Sequence, residues 1–160
     1  MKNSKNFIAL GLMSGTSADG IDIALIETNG RDNIILKSSD FYPFSRKFSE
    51  KIKKNFKKNF NKENLNKKDI KELEKEFTDI NYIAIKNFFK KKKINKDKVD
   101  VIGFHGQTIS HKPELGYSYQ IGDSQRLANL LKIKVVSNFR SNDVKNGGEG
   151  APLTPIFHYY

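Results

Sequence analysis

The chain has 160 residues, contains neither cysteine nor tryptophan, and carries a formal net charge of +11. This length suffices for one domain with a buried core, and the lack of cysteine excludes a disulfide framework and a thiolate metal site. No apolar run reaches the ~20 residues of a membrane span, and the N-terminus lacks the apolar region of a secretory signal. We therefore expect a cytoplasmic protein.

The positive charge is concentrated in one segment. Residues 51–98 hold seventeen lysines and seven acidic residues, and so account for ten of the eleven net charges. The segment is rich in lysine and asparagine but has no arginine, the side chain best suited to phosphate and guanine edges. This pattern favours the solvated faces of lysine-rich helices. A basic module that binds nucleic acid or another polyanion is the alternative.

The first predicted elements are two strands, at residues 7–13 and 21–27, joined by a small polar loop. Gly15 and Gly20 allow a positive φ and a close approach of the backbone to a ligand. Hydroxyl groups add hydrogen-bond donors beside exposed backbone amides; they belong to Ser14, Thr16 and Ser17. This chemistry suits phosphate, although small polar residues are also typical of ordinary hairpin turns.

Two carboxylates accompany this loop. Asp19 and Asp22 have the wrong charge for phosphate, but hard divalent cations prefer carboxylate oxygen. We predict that they bind Mg²⁺, directly or through water.

A turn at residues 29–32 precedes a third strand at 33–38, so the first three strands form a meander. Two helices follow, because apolar residues then recur at helical spacing. In the first helix these residues are Phe48, Ile52, Phe56 and Phe60. The second helix extends from about residue 67 to 92, and its predicted core residues are Ile70, Leu73, Phe77, Ile80, Ile83, Ala84 and Phe88.

Residues 100–104 form a fourth predicted strand, short, apolar and preceded by a helix, as in a buried parallel sheet. We predict that this strand ends at His105, and that His105, Gln107 and Thr108 place hydrogen-bonding groups at the sheet edge. Substrate binding is the favoured role. Metal binding by His105 and His111 is disfavoured, because no acidic residue or cysteine accompanies them.

Residues 117–121 are predicted to form a short edge strand, followed by a helix at 125–131 with Asp123 or Ser124 as its N-cap. A fifth strand is predicted at 134–139, ending at the polar residues Arg140, Asn142 and Asp143. A glycine-rich loop then leads to a helix start at Pro152, with residues 153–157 in the helix. Such a start presents free amides to an anion.

This order of elements, βββαβαβ, predicts an α/β fold with a mixed sheet and flanking helices. It resembles one lobe of the actin-like and sugar-kinase ATPases, in which two lobes close on a nucleotide. We assign residues 1–150 to such a lobe, with a lysine- and asparagine-rich helical section at about 45–98. Residues 151–160 are assigned to the start of a second lobe.

Five separated motifs together resemble those of the anhydro-N-acetylmuramic acid kinase family. They are Met13–Asp22, His105–Thr108, Gln120–Asp123, Asn138–Asp143 and Gly147–Leu153. The resemblance implies an ATP-dependent enzyme of cell-wall amino-sugar recycling, which opens the 1,6-anhydro ring with water and phosphorylates the freed 6-hydroxyl. It departs from the family at Ala18, where leucine is usual, and at Glu149, where glutamine is usual.

The resemblance also implies site residues. The matching ATP-binding positions are Gly15, Thr16, Ser17, Ala18, Asp19, Gly20, Ile21 and Asp22, and the sugar-side positions are His105, Gln107, Arg140 and Asp143. Arg140 matches the geometry of the sugar's lactyl carboxylate, and a salt bridge with Asp143 is the alternative.

In the family, the general base lies on a later segment, so no catalytic residue is assigned here. We expect this lobe alone to be incomplete and inactive, with a C-terminal lobe or a second copy of the chain as its partner. A product that folds poorly and has no activity is a further alternative, for which exposed apolar surface would be evidence.

Overall fold

The computed structural model describes residues 6–56 and 68–154. Its strands are β1 (Phe7–Ser14), β2 (Gly20–Thr28), β3 (Ile34–Pro43), β4 (Val101–Lys112), β5 (Tyr117–Ile121) and β6 (Lys134–Val136). Its α-helices are α1 (Arg46–Phe56), α2 (Lys68–Lys91), α3 (Ser124–Leu131) and α4 (Phe139–Lys145). Two short 3₁₀ turns, Lys96–Lys98 and Pro113–Leu115, flank β4.

The sheet has the order β3-β2-β1-β4, with β5 and β6 both on the outer side of β4. The predicted meander of β1, β2 and β3 is confirmed, since both pairings are antiparallel. β4 is parallel to β1, as predicted, and β6 is parallel to the first part of β4. β5 pairs antiparallel with the second part of β4. The result is the predicted mixed α/β sheet.

Strict alternation in β1 and β2 divides the sheet into two faces. Leu10, Leu12, Ile21 and Ile23 are buried, whereas the residues between them in β1 are exposed, as the period of two in a strand requires. The buried side chains join one core cluster with residues from α1, α2 and α3, including Ile52, Phe77 and Leu127. The three helices therefore share the core of one sheet face.

Helix α2 agrees with its predicted bounds within a residue at each end, but its buried stripe differs by one position. Ile83 was predicted to be in the core and is 55% exposed, whereas Ile85 is fully buried. Asn81 is also buried on this stripe, and its amide nitrogen donates to the carbonyl of Phe77 at 2.8 Å. The prediction for Ile83 was wrong because 100° per residue rotates it away from the line through Phe77 and Ala84.

The lysines of α1 and α2 lie mainly on the outer surfaces of these helices. Lys53, Lys75 and Lys86 are exposed, and the ammonium of Lys86 lies 5.5 Å from the ring centre of Tyr82. These positions match the predicted solvated faces. The predicted continuation of the first helix to Phe60 lies outside the described residues. No helix in the described ranges combines the length and the apolar composition needed to cross a bilayer.

The prediction that β4 ends at His105 was wrong, because the strand continues to Lys112. Gly106 adopts φ +74, and the β1–β4 pairing shifts register between Leu12 and Ser14. A glycine with positive φ accommodates an extra residue while the strand continues. His105 and Gln107 therefore lie within a strand instead of beyond its end.

The fifth predicted strand, β6 in the structure, ends at Val136 instead of Phe139. Asn138 adopts φ 64, a conformation that asparagine tolerates better than most residues, and α4 begins directly after it. Arg140 and Asp143 therefore lie on a helix. The predicted helix start at Pro152 is not formed, since residues 152–154 are irregular; the remaining predicted helix lies outside the described residues.

We expect Gly122→Ala to lower the free energy of unfolding by about 2–4 kcal/mol. Gly122 has φ +141, and a Cβ atom there would lie 2.7 Å from the ring of the buried Phe104. Gly30→Ala is the matched control, because Gly30 has φ +73 with open space around it and should lose only about 1 kcal/mol. Urea unfolding compares the two variants, and equal losses would contradict the predicted clash.

Candidate functional site

The connection between β1 and β2 is a tight loop held from two sides. The amide of Ala18 donates to the carbonyl of Gly15 at 3.1 Å, and Ala18 is buried with φ 50. The hydroxyl of Ser49 in α1 donates to the carbonyl of Ala18 at 2.6 Å. The amide of Phe44 donates to the carbonyl of Asp19 at 2.8 Å. These bonds fix the backbone of residues 15–19 against α1 and the end of β3.

A buried amide side chain attaches the same loop to β4. Gln107 is fully buried, and its Nε2 donates to the carbonyl of Gly15 at 3.0 Å. Its Oε1 accepts from the hydroxyl of Ser14 at 2.6 Å, and that hydroxyl also lies 3.0 Å from the carbonyl of Gly20. The predicted donation from Ser14 to phosphate is wrong for this geometry, because its single proton is directed to internal acceptors.

The outer part of the loop keeps free donors. Thr16, Ser17 and Asp19 are exposed. The amides of Thr16 and Ser17 donate no hydrogen bond to any residue that the structure describes. The hydroxyl of Ser17 donates to Oδ1 of Asp19 at 2.9 Å. Successive free amides in a turn form a concave anion site, so the loop can accept a phosphate group.

The two predicted metal ligands differ in their surroundings. Asp19 lies in the loop beside Ser17, whereas Asp22 lies in β2 opposite Met13, exposed and without an ion pair among the described residues. No cluster of three or more potential ligands of the His, Cys, Asp or Glu type occurs in residues 6–56 and 68–154. Two exposed carboxylates still fit Mg²⁺, which commonly binds one or two carboxylates and completes its shell with phosphate and water.

His105 and Arg140 form a second group. Nε of Arg140 donates to Nε2 of His105 at 2.8 Å, so Nδ1 carries the imidazole proton and donates to the carbonyl of Gly106 at 2.8 Å. Burial, and the positive charge of Arg140, lower the pKa of His105. Burial likewise lowers the pKa of Arg140. His105 is therefore held as a neutral imidazole of defined tautomer.

Helix α4 also orders the glycine-rich loop. Nη1 of Arg140 donates to the carbonyl of Gly150 at 2.8 Å, and the amide of Gly150 donates to Oδ2 of Asp143 at 2.7 Å. The amide of Gly148 donates to the carbonyl of Asp143 at 2.9 Å. Arg140 and Asp143 thus hold the same loop without forming an ion pair with each other. Nη2 of Arg140 donates to no described residue, so the side chain is fixed with one end free.

The structure brings the loop at residues 15–19 and the His105–Arg140 pair to the same end of the neighbouring strands β1 and β4. β1 and β4 are parallel, Ser14 pairs with Gln107, and His105 lies two residues before Gln107. The remaining predicted ATP-binding residues lie inside the protein, where Ala18, Gly20 and Ile21 are buried. Asp123 is the N-cap of α3, where its side chain accepts from the amide of Arg126. Sequence reasoning missed Ser49, since nothing local indicates that a helical serine supports a loop 31 residues away.

We expect His105 to make the free energy of unfolding decrease as the pH falls. Because its pKa is lowered in the folded state, the unfolded chain takes up a proton near pH 6.5 that the folded chain does not. The contribution of His105 to the free energy of unfolding is therefore fully present above this pH. It is lost below this pH, by up to about 1.4 kcal/mol per pH unit. His105→Gln should remove this part of the slope in urea unfolding between pH 7 and 5, and an unchanged slope would contradict the prediction.

The sheet order, the parallel pairing of β1 and β4 and the polar loop after β1 are those of one lobe of the sugar-kinase-like fold. The comparison with known families agrees with this class. Residues 7–160 match the family model described as anhydro-N-acetylmuramic acid kinase, and the chain belongs to that family.

Curated relatives named anhydro-N-acetylmuramic acid kinase support the assignment. The relative from Zymomonas mobilis is 43% identical over 159 residues, covering 95% of this chain and 43% of the relative. The relative from Rhizorhabdus wittichii is 43% identical over 153 residues, covering 94% of this chain and 42% of the relative. The relative from Pelagibacter ubique is 41% identical over 162 residues, covering 96% of this chain and 41% of the relative. The chain thus spans less than half the length of these relatives.

Proposed function

We propose that this chain supplies the nucleotide-binding lobe of a kinase that transfers phosphate from ATP to anhydro-N-acetylmuramic acid. The observation that carries this proposal is the attachment of the loop at residues 15–19, whose outer part is exposed, through Gln107 to the strand that bears His105. Phosphoryl transfer depends mainly on positioning and on neutralising charge. A loop with a fixed backbone and free amides beside a second polar group suits that task.

In this proposal the amides of Thr16 and Ser17 bind the nucleotide phosphates. Gly15, Ala18, Gly20 and Ile21 contribute through the backbone and the shape of the loop, which fits the burial of the last three. Asp19 and Asp22 hold Mg²⁺, in part through water, and Mg²⁺ when bound neutralises phosphate charge.

The sugar binds at the other end of the site. Nη2 of Arg140 contacts the lactyl carboxylate, while the neutral His105 and Oδ1 of Asp143 contact the ring substituents. Gln107 was predicted to bind substrate directly, but its amide is buried and its contacts are internal. We assign it instead to positioning the phosphate loop.

The remainder of the enzyme completes the reaction. Opening of the anhydro ring by water needs a general base within hydrogen-bond reach of that water, and the family resemblance assigns this base to a part of the protein that this chain lacks. The proposed setting is cytoplasmic amino-sugar recycling. A second lobe or a second copy of the chain completes the cleft.

A hybrid enzyme tests this function. The segment of the Zymomonas mobilis relative that matches this chain is replaced by the chain, and ATP-dependent phosphorylation of the anhydro sugar is measured. We expect a product with one phosphate, and we expect Asp22→Asn to reduce its formation. A folded hybrid without activity would contradict the proposal. A steep salt dependence of binding to generic DNA, lost when Lys53 and Lys75 are both changed to Glu, would favour the polyanion-binding alternative.

A further inference from the structure

A cavity of about 550 Å³ lies between the second half of α2, the turn that follows this helix and the end of α3. The segment that supplies most of its lining, residues 86–98, holds seven lysines and one acidic residue. None of the lining residues belongs to the candidate site described above. We call this cavity the lysine pocket, after Lys86, Lys90 and Lys96 in its lining.

The pocket forms where the chain folds back at the end of α2. Lys93 adopts φ 54, and the amide of Ile94 donates to the carbonyl of Phe89 at 2.9 Å, as at a helix C-terminus that is closed by a left-handed residue. The turn Lys96–Lys98 begins directly afterwards, because the side chain of Asn95 accepts from a backbone amide of this turn at 2.9 Å. The segment after α2 thus closes one side of the pocket.

The inner lining of the pocket is apolar. Phe89 and Leu131 are buried, and Tyr82 and Ile94 are half-buried. Leu130 is 39% exposed, so the lining also includes a leucine side chain that the chain leaves partly uncovered. A mostly apolar cavity of this size with a few polar groups is typical of a small-molecule site.

Three cations complete the lining. Lys86 and Lys90 lie one turn apart on the same side of α2, and Lys96 lies in the turn after the helix. All three are exposed, and none forms an ion pair with a residue in the described ranges, whereas the neighbouring Lys91 pairs with Asp40 at 2.7 Å. The described lining contains no acidic residue. Uncompensated positive charge beside an apolar surface complements a ligand with a negative head and an apolar body.

We propose that the lysine pocket binds an amphiphilic phosphate monoester. The phosphate lies among Lys86, Lys90 and Lys96, and the apolar body packs on the lining around Leu130. A phosphate monoester fits better than a monocarboxylate, because its charge of about −1.5 to −2 at neutral pH can be shared by several ammonium groups. A nucleic acid fits less well, because the Lys86 ammonium already lies over the ring of Tyr82, the lining's exposed aromatic face on which a base would stack. This inference goes beyond the proposed function and does not depend on it, since the two sites share no residue.

Calorimetric titration of the chain with decyl phosphate, below its micelle concentration, tests the proposal. We expect one binding site per chain. Two further probes separate the parts of the ligand: inorganic phosphate lacks the apolar body, and decyltrimethylammonium has the same apolar chain with the opposite charge. Each should bind at least about tenfold more weakly than decyl phosphate, because each loses one of the two complementary contacts.

Matched lysine substitutions locate the site. Lys86→Gln with Lys90→Gln should weaken the binding of decyl phosphate at least about tenfold, since it removes two of the three charged donors. Lys53→Gln with Lys75→Gln is the control for the same loss of charge. Lys53 and Lys75 are exposed and lie outside the pocket, so this variant should bind like the original chain.

A second pair of variants tests the apolar lining. Leu130→Asn should weaken binding at least about threefold, because it removes apolar surface from the pocket. Leu115→Asn is its control, since Leu115 is 62% exposed and lies outside the lining. Both leucines are exposed, so we expect both variants to fold, and urea unfolding checks this.

Sedimentation with vesicles of phosphatidylcholine and phosphatidic acid identifies the source of the ligand. Vesicle binding that decyl phosphate competes away would support a membrane lipid, and absence of vesicle binding would support a free phosphate ester. Vesicle binding without competition would overturn the proposal, because the lysines would then contact a bilayer surface and leave the pocket unused.

Three results of the titrations would also overturn the proposal. They are absence of saturable binding of decyl phosphate, binding of inorganic phosphate or decyltrimethylammonium with equal affinity, and equal weakening by both lysine variants. All measurements are made without ATP or sugar, so an inactive hybrid enzyme would contradict the proposed function and leave this result unchanged.

Discussion

Gln107→Leu should lower the free energy of unfolding by about 2–4 kcal/mol, because it removes two internal hydrogen bonds and leaves buried partners unsatisfied. The hydroxyl of Ser14 and the carbonyl of Gly15 would lose their partner on β4. Leucine has a volume close to that of glutamine, so the loss of polar contacts dominates over a change in packing. The same substitution should increase hydrogen exchange of the Ala18 amide, which donates to the carbonyl of Gly15 within the loop.

Gln125→Leu is the matched control for this prediction. Gln125 is exposed and donates to Asn129 within α3 at 3.2 Å, and surface substitutions of this kind usually change stability by less than about 0.5 kcal/mol. Urea unfolding and hydrogen exchange measure both variants. If Gln107→Leu is as stable as the control and its loop exchanges no faster, Gln107 does not position the loop.

Arg140→Ala in the hybrid enzyme should raise the KM for the anhydro sugar about 10- to 100-fold, while the KM for ATP changes less than about threefold. The reason is that hydrogen bonds to a charged partner contribute about 1.5–3 kcal/mol, and the free Nη2 is assigned to the sugar carboxylate. Arg140→Lys should recover little of this loss, because an ammonium does not reproduce the planar fork of a guanidinium.

The two KM values distinguish a sugar-binding role of Arg140 from a purely structural one, because only a sugar-binding role raises the KM for the sugar alone. Arg140 also holds His105 and the carbonyl of Gly150, so the variant's unfolding must be measured alongside its kinetics. Arg126→Ala is the control, since Arg126 makes a comparable pair of contacts with Asp79 but on the side of α2. Equal increases in both KM values would contradict the assignment to the sugar carboxylate.

Local pattern predicted most of the first half of the fold, although β3 continues to Pro43, beyond its predicted end at residue 38. The alternation in β1 and β2 and the glycine at both ends of their connection predicted a hairpin with a polar loop, because side-chain period and turn chemistry are both local properties. Helix α2 was predicted within a residue at each end for the same reason. The misplaced Ile83 shows the limit, since a small angular error decides which side of a helix contacts the sheet.

The second half depended on pairing between distant residues. β4 continues past Phe104 because Gly106 takes a positive φ and β5 pairs with its second part. Asn138 ends β6 early and places Arg140 and Asp143 on a helix. The sequence does not reveal that Gly106 and Asn138 take a positive φ within or beside a strand, because glycine and asparagine are also common in ordinary turns.

The sequence by itself determined the meander, the extent of α2 and the family, since each follows from local periodicity or from short motifs, and it proposed most residues of the candidate site. Only the tertiary structure decided what those residues do for one another. It buried Gln107, whose Oε1 accepts a hydrogen bond from the hydroxyl of Ser14, 93 residues earlier in the chain. It also made Nε2 of His105 the acceptor of a hydrogen bond from Nε of Arg140. Hydrogen bonds between distant residues depend on how the backbone brings them together, and no spacing along the chain encodes that geometry.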